Sequence, residues 1–131
     1  MKYLLILLLA IGSHAQDIKN FVIVGKAEGN IYLVDPINVK GKGENVVFIA
    51  LAGKSLGLDG DKEVVDVSHY AFTVFEANCK SYAYTPINVY GVLDGKKFEA
   101  KPERLTKTAK EPQVIWFAIQ MVCKQSKLFE V

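Results

Sequence analysis

Short runs of Val, Ile, Leu, Phe and Tyr alternate with polar positions through most of the chain, and Gly, Asn and Asp break them up. That spacing predicts an antiparallel sheet built from hairpins. Strands are expected at about residues 21–25, 30–35, 45–52, 67–77, 80–85, 88–93 and 96–101. Gly41-Lys42-Gly43 and Asp94-Gly95 are turn signals, because glycine takes the positive φ of a tight hairpin turn at little steric cost. Residues 53–63 carry Gly53, Gly57 and Gly60 with little periodicity and read as a mobile loop. Pro36-Ile37-Asn38-Val39 and Pro86-Ile87-Asn88-Val89 echo each other, but their flanks differ, so they read as two similar strand entries and not as a duplication.

Near the C-terminus the period changes. Pro112 suits the first turn of a helix, where its missing N–H costs nothing, and residues 114–122 hold one polar residue, Gln120. On a helical wheel Gln113, Gln120 and Lys124 share a narrow stripe, while Val114, Phe117, Ala118, Met121 and Val122 form a wide apolar face. A helix packed flat on the sheet follows. Thr108 and Glu111 have the spacing of a capping box, but Pro112 would then fall inside the first turn, so the start is open within that span. Trp116, Ile119 and Cys123 recur at intervals of three and four and share one edge of the helix. The expected fold class is α+β: an antiparallel sheet of about six strands with a C-terminal helix on one face.

Residues 1–15 have the layout of a secretory signal. Lys2 is the positive start, Leu4 to Ile11 is an unbroken apolar run, and Ser13-His14-Ala15 ends it, with cleavage expected before Gln16. The run is far shorter than the roughly 20 apolar residues of a membrane-spanning helix, and no Cys stands at the cleavage point to take a lipid. The expected product is one domain, residues 16–131, exported to the periplasm or beyond, with no lipid anchor of its own and no integral membrane segment.

Sixteen Lys and Arg face fourteen Asp and Glu, and one of those cations is Lys2 in the leader. A balance this even gives no electrostatic reason to expect nucleic acid or an anionic membrane as partner. Arg104 is the one arginine, so the forked donors suited to phosphate are nearly absent. Both cysteines lie beyond the leader, and in an oxidising compartment an even count points to a disulfide, which can only be Cys79 with Cys123. Closing a loop of that length stabilises by roughly 4 kcal/mol in the chain-entropy model. Such a bond ties one edge of the helix to the longest expected strand.

Catalytic chemistry finds little support. His69, the one histidine of residues 16–131, follows Ser68, but adjacent strand residues point to opposite faces and a nucleophile needs its base within hydrogen-bond reach. His69 reads as an ordinary strand-entry residue. One His and two paired cysteines do not make a tetrahedral zinc site. Gly53-Lys54-Ser55 resembles the tail of a phosphate-binding loop, yet Phe48 stands where the first glycine belongs. Asp59, Asp61 and Glu63 alternate like the start of a calcium loop, but Val64 and Tyr70 hold its glycine and closing-glutamate positions. No catalytic residue, metal ligand or cofactor is expected. Tyr70, Phe72, Phe75, Tyr82, Tyr84 and Tyr90 read mainly as core or cross-strand pairs, with any outward tyrosine a candidate for partner contact.

Three segments together resemble the bacterial surface-adhesin protein E family: Gly29-Asn30-Ile31-Tyr32-Leu33-Val34-Asp35, Phe75-Glu76-Ala77-Asn78-Cys79-Lys80, and Ala118-Ile119-Gln120-Met121-Val122-Cys123-Lys124. The resemblance runs from about Val22 to Lys124. It implies a curved antiparallel sheet with the C-terminal helix disulfide-linked to its concave face, and adhesion to host extracellular proteins. It transfers no binding residue, and the named adhesin is a lipoprotein whereas this chain has an ordinary cleavage site. The function expected is therefore a non-enzymatic exported module that binds another protein, either a host matrix protein or an envelope protein. The alternative is a periplasmic inhibitor of a hydrolase such as lysozyme.

Overall fold

A computed structural model describes residues 21–41, 44–59 and 62–128. The leader and its cleavage point lie outside them, as do Lys42, Gly43 and Asp61. β1 (Val22–Ala27) and β2 (Asn30–Val34) are joined by Glu28 and Gly29, both with positive φ (51° and 80°). Asp94 and Gly95 repeat that conformation (51° and 77°) between β5 (Ala83–Leu93) and β6 (Lys96–Ala100). Two successive positive φ values give a turn whose twist matches the flanking strands, so the Asp-Gly signal is realised as a hairpin. Between these hairpins lie the two long strands β3 (Asn45–Asp59) and β4 (Lys62–Asn78), and the order across the sheet is β1-β2-β3-β4-β5-β6, antiparallel at every step. A two-residue strand, β7 (Lys107–Thr108), pairs with the start of β5. The C-terminal helix, α1 (Val114–Leu128), packs over β1, β2 and β3.

The expected loop at residues 53–63 is a departure. Gly53 and Gly57 sit in strand, with β3 and β4 paired out to Asp59↔Lys62, and Gly60 lies outside the described residues. The register slips between Gly53 and Ser55 and again between Ser55 and Gly57, and these bulges erase the two-residue period while the ladder continues. On β4 the first slip leaves four residues, Asp66 to His69, between Val65 and Tyr70, opposite Lys54 alone. The strands expected at 80–85 and 88–93 are one strand, β5; Lys80 to Tyr82 belong to the turn before it. Pro86 fits inside β5 because it lies beside a bulge on the β4 side and within the stretch that neither β6 nor β7 reaches on the other.

Both faces of the central strands are buried, which is why β3 reads as an unbroken apolar run from Val46 to Ala52. Towards α1 lie Val34, Val46, Phe48 and Ala77, closed by Ala118, Ile119, Val122 and Cys123. On the other face Phe21, Ile31, Leu33, Leu51 and Phe72 form a second core that Val65 joins from beyond the β4 bulge. The helix carries out its expected amphipathic reading with one rotation: Gln113, Gln120 and Lys124 are exposed, but so is Phe117, and the buried stripe runs through Ala118, Ile119, Val122 and Cys123. The capping box does not form. Pro112 precedes the helix, and the Gln113 side chain turns back to accept the Lys110 N–H at 2.9 Å while its carbonyl accepts from Trp116 at 3.0 Å.

Candidate functional site

The two cysteines singled out in the sequence are brought together by a turn at the end of β4. Asn78 Oδ1 accepts the N–H groups of Lys80 (2.9 Å) and Ser81 (2.8 Å), and the Tyr82 N–H donates to the Asn78 carbonyl at 2.8 Å. Tyr82 closes the turn with φ of 63°. This presents Cys79 to α1, where it is bonded to Cys123 with their Cα atoms 5.6 Å apart. Trp116, on the same helix edge, packs its ring 5.5 Å from that of Tyr82, whose carbonyl also accepts the Ala109 N–H. The helix is thus held to the sheet by a bond, a ring contact and the buried Ile119.

The Ser68-His69 pair does not assemble a nucleophile. Ser68 Oγ donates to Asp66 Oδ1 at 2.6 Å, and the Ser68 N–H donates to the same oxygen at 2.9 Å, which closes the β4 bulge as an Asx turn. His69 faces Asp94 instead, with Nδ1 4.0 Å from the carboxylate. The Ser68 hydroxyl and N–H hold the Asp66 carboxyl below its usual range against an opposing desolvation, with Lys54 and His69 adding lesser contributions. A depressed folded-state pKa contributes stability above the unfolded value, and that contribution is lost as pH falls through the folded one. In a carbon-detected NMR titration Asp66 should therefore titrate below an ordinary aspartate, and Ser68→Ala should return it towards the usual value. A midpoint unmoved by Ser68→Ala would contradict the Asx turn. Among the described residues no three His, Cys, Asp or Glu side chains gather where a metal ion could sit, and no helix is long and apolar enough to cross a membrane.

The aromatic residues divide between the two faces. Phe75 and Tyr84 join the core under α1, Phe75 stacking on Phe48 and meeting Tyr84 edge-on. Tyr70, Phe72 and Tyr90 line the opposite face, with Phe72 stacked on Tyr90 at 5.3 Å and edge-on to Tyr70 at 5.8 Å. Burial raises the Tyr70 and Tyr90 hydroxyls above their ordinary pKa, and Glu99 adds to the rise at Tyr90. Both therefore stay neutral, half-buried rings with a polar tip.

Beside Tyr90 lies the feature that the sequence reading missed. On the β1 side α1 packs over the sheet face so closely that a Cβ on Gly25 would stand 2.8 Å from Val114 Cγ2. Among the described residues the β6 side is an open edge: β6 pairs with β5 on one side only, and β5 has no partner strand from Thr85 to Asn88 on its outer side. Along this edge Lys96, Lys97, Lys101, Arg104, Lys107 and Lys110 are all exposed, and none is held in an ion pair among the described residues. The acidic residues between them are Glu99, which accepts from Asn88 Nδ2 at 3.0 Å, and Glu103. Exposed Leu105 adds an apolar position to this rim. The even charge of the whole chain hides this local excess; counting charge over residues 96–110 alone reveals it.

No protein-family model matches the sequence, and no curated protein matches it. Solved structures do. Haemophilus influenzae protein E superposes with a TM-score of 0.58 at 17% identity, covering 86% of this chain and 90% of that one. A second crystal form of that protein gives 0.58 at 16% identity, over 83% of this chain and 91% of the other. Protein E from non-typeable Haemophilus influenzae gives 0.52 at 16% identity, over 81% and 76%. The chain, a curled six-stranded antiparallel sheet with one C-terminal helix tied to it by Cys79–Cys123, shares the fold of Haemophilus influenzae protein E.

Proposed function

We propose that the protein is an exported, non-enzymatic binding module that grips another protein along the open β5–β6–β7 edge, in the manner of an adhesin for host extracellular proteins. The observation that carries this reading is the edge itself. Unpaired main-chain groups on an outer strand invite a further strand, and a row of lysines opposes pairing with a second copy of the same edge. The partner it suits is an extended, acidic segment of another protein, with Tyr90 and Leu105 as adjoining contact positions. The leader at residues 1–15, the disulfide and the shared fold support export and an adhesive role. A periplasmic hydrolase is the second class of partner, and the test separates the two.

Oxidised protein, freed of its leader, is immobilised and exposed in parallel to purified extracellular-matrix proteins and to lysozyme. Binding to a matrix protein, weakened by salt, is the expected result. Reversing Lys96, Lys97 and Arg104 to Glu should slow association about tenfold, since rim charges act mainly on the on-rate, while thermal stability stays within about 0.5 kcal/mol per surface substitution. Saturable inhibition of lysozyme with no matrix binding would replace the adhesive reading with the inhibitory one. Matrix binding indifferent to the charge reversal would remove the edge from the account.

A further inference from the structure

Between the first half of α1 and the sheet lies an apolar cavity of about 390 Å³, open on one side. Its floor is made of small side chains. On the face towards α1 it is lined by Ala52 and, in the next row, by Ala50 with Thr73 beside it across the β3–β4 ladder. The opposite face carries Leu51, Tyr70, Phe72 and Tyr90 at the intervening positions, so the trough comes from the choice of side chain and not from the course of the strands. The roof is Val114, Ile115 and Ala118, and Tyr32 and Thr73 are the residues of its lining that carry a hydroxyl. Among the described residues no charged side chain lines the cavity. Interiors of folded proteins close voids much smaller than this, and the size and apolar lining are those of a small-molecule site.

We infer that the cavity is a binding site for the unbranched hydrocarbon chain of an amphiphile, a fatty acyl chain, with its polar head left at the open side. The lining excludes the other occupants of an apolar cleft. A peptide strand would bring main-chain N–H and C=O groups that need partners, but those of β2, β3 and β4 facing the floor are already spent on both neighbouring ladders. A charged or sugar-like group would meet no counter-charge. A hydrocarbon needs neither. The cavity runs from Val24 and Ala27 on β1 to Thr73 and Phe75 on β4, which is three strand spacings or about 14 Å, so an extended chain lies crosswise over the strands. The site is independent of the β6 edge, which lies at the other side of the sheet. Cys79–Cys123 fixes the second half of the helix, so the half that forms the roof is carried on an anchored element.

The test is a titration of the oxidised protein, by calorimetry, with a series of saturated fatty acids from hexanoate to hexadecanoate, each below its micelle concentration. Affinity should rise about threefold to fourfold for each added methylene that the cavity accepts, then level off within the series once the chain outgrows it. Ala50→Leu, which fills the floor, should weaken decanoate at least tenfold; circular dichroism and the intact disulfide verify its fold. Val74→Leu, on the other face, should leave affinity unchanged and guards against a loss caused by misfolding. The inference is overturned if affinity climbs without levelling, which marks non-specific adsorption, if no member of the series binds, or if a folded Ala50→Leu protein binds decanoate as the parent does. Matrix binding by the β6 edge is read separately and stands or falls apart from this result.

Discussion

Cys123→Ser is expected to lower the unfolding free energy of the oxidised protein by about 4 kcal/mol, the value for opening a loop of 44 residues. The physical origin is twofold. The bond restricts the unfolded chain, and in the folded state it ties α1 to the end of β4, holding it on the sheet where Ile119 and Val122 are fully buried. A domain of this size has roughly 5–15 kcal/mol in all, so the loss is a large share of what keeps it folded. Urea denaturation followed at Trp116 measures it, since that ring packs on Tyr82 beside the bond. The parent protein after reduction should fall to the stability of the variant. A parent whose stability is the same oxidised and reduced would show that the bond contributes nothing.

Asp35→Ala is expected to cost about 3 kcal/mol, the second largest effect, through lost hydrogen bonds to a buried acceptor. Asp35 follows β2 and is fully buried, the one such charged residue among those described. Its Oδ1 accepts the N–H groups of Ile37 (3.0 Å) and Asn38 (3.2 Å), and Oδ2 accepts Asn38 Nδ2 at 2.6 Å. Together these turn the chain out of β2 at Pro36, and the Asp35 N–H still reaches the Ile49 carbonyl of β3 at 3.3 Å. Alanine would leave two main-chain donors and an amide without partners, whereas Asp35→Asn keeps the acceptor and should cost less. Thermal denaturation of the three proteins side by side gives the order. Equal stability of the alanine and asparagine variants would mean that the side chain only fills space.

Much of this architecture is legible in the sequence. The apolar runs located β1, β2, β6 and the stretches of β3 and β4 on the near side of the bulges, each close to a glycine, asparagine or aspartate, as at Asp94-Gly95. The disulfide followed from two cysteines and one possible pairing. Period reading failed where the sheet is bulged: at Gly53 to Gly57 the ladder persists while alternation breaks, and at Pro86 a proline inside a strand mimics a boundary. The helix face was misjudged at Phe117 because a wheel gives the width of an apolar stripe but not which of its margins meets the sheet. The open edge was hidden for another reason. Lysines 96, 97 and 101 are ordinary solvent residues until the strand order puts β6 last among the described strands. The apolar trough, too, is written in Ala50, Ala52 and Thr73, yet these belong together only once register aligns β3 with β4.

The most direct test of the account is amide hydrogen exchange on the oxidised protein with and without a bound matrix protein. A partner held along the open edge should slow exchange at Lys96 to Ala100 and at the outward amides of β5 between Thr85 and Asn88, and leave α1 unchanged. Protection confined to α1 and β1, with β6 exchanging as freely as before, would contradict it.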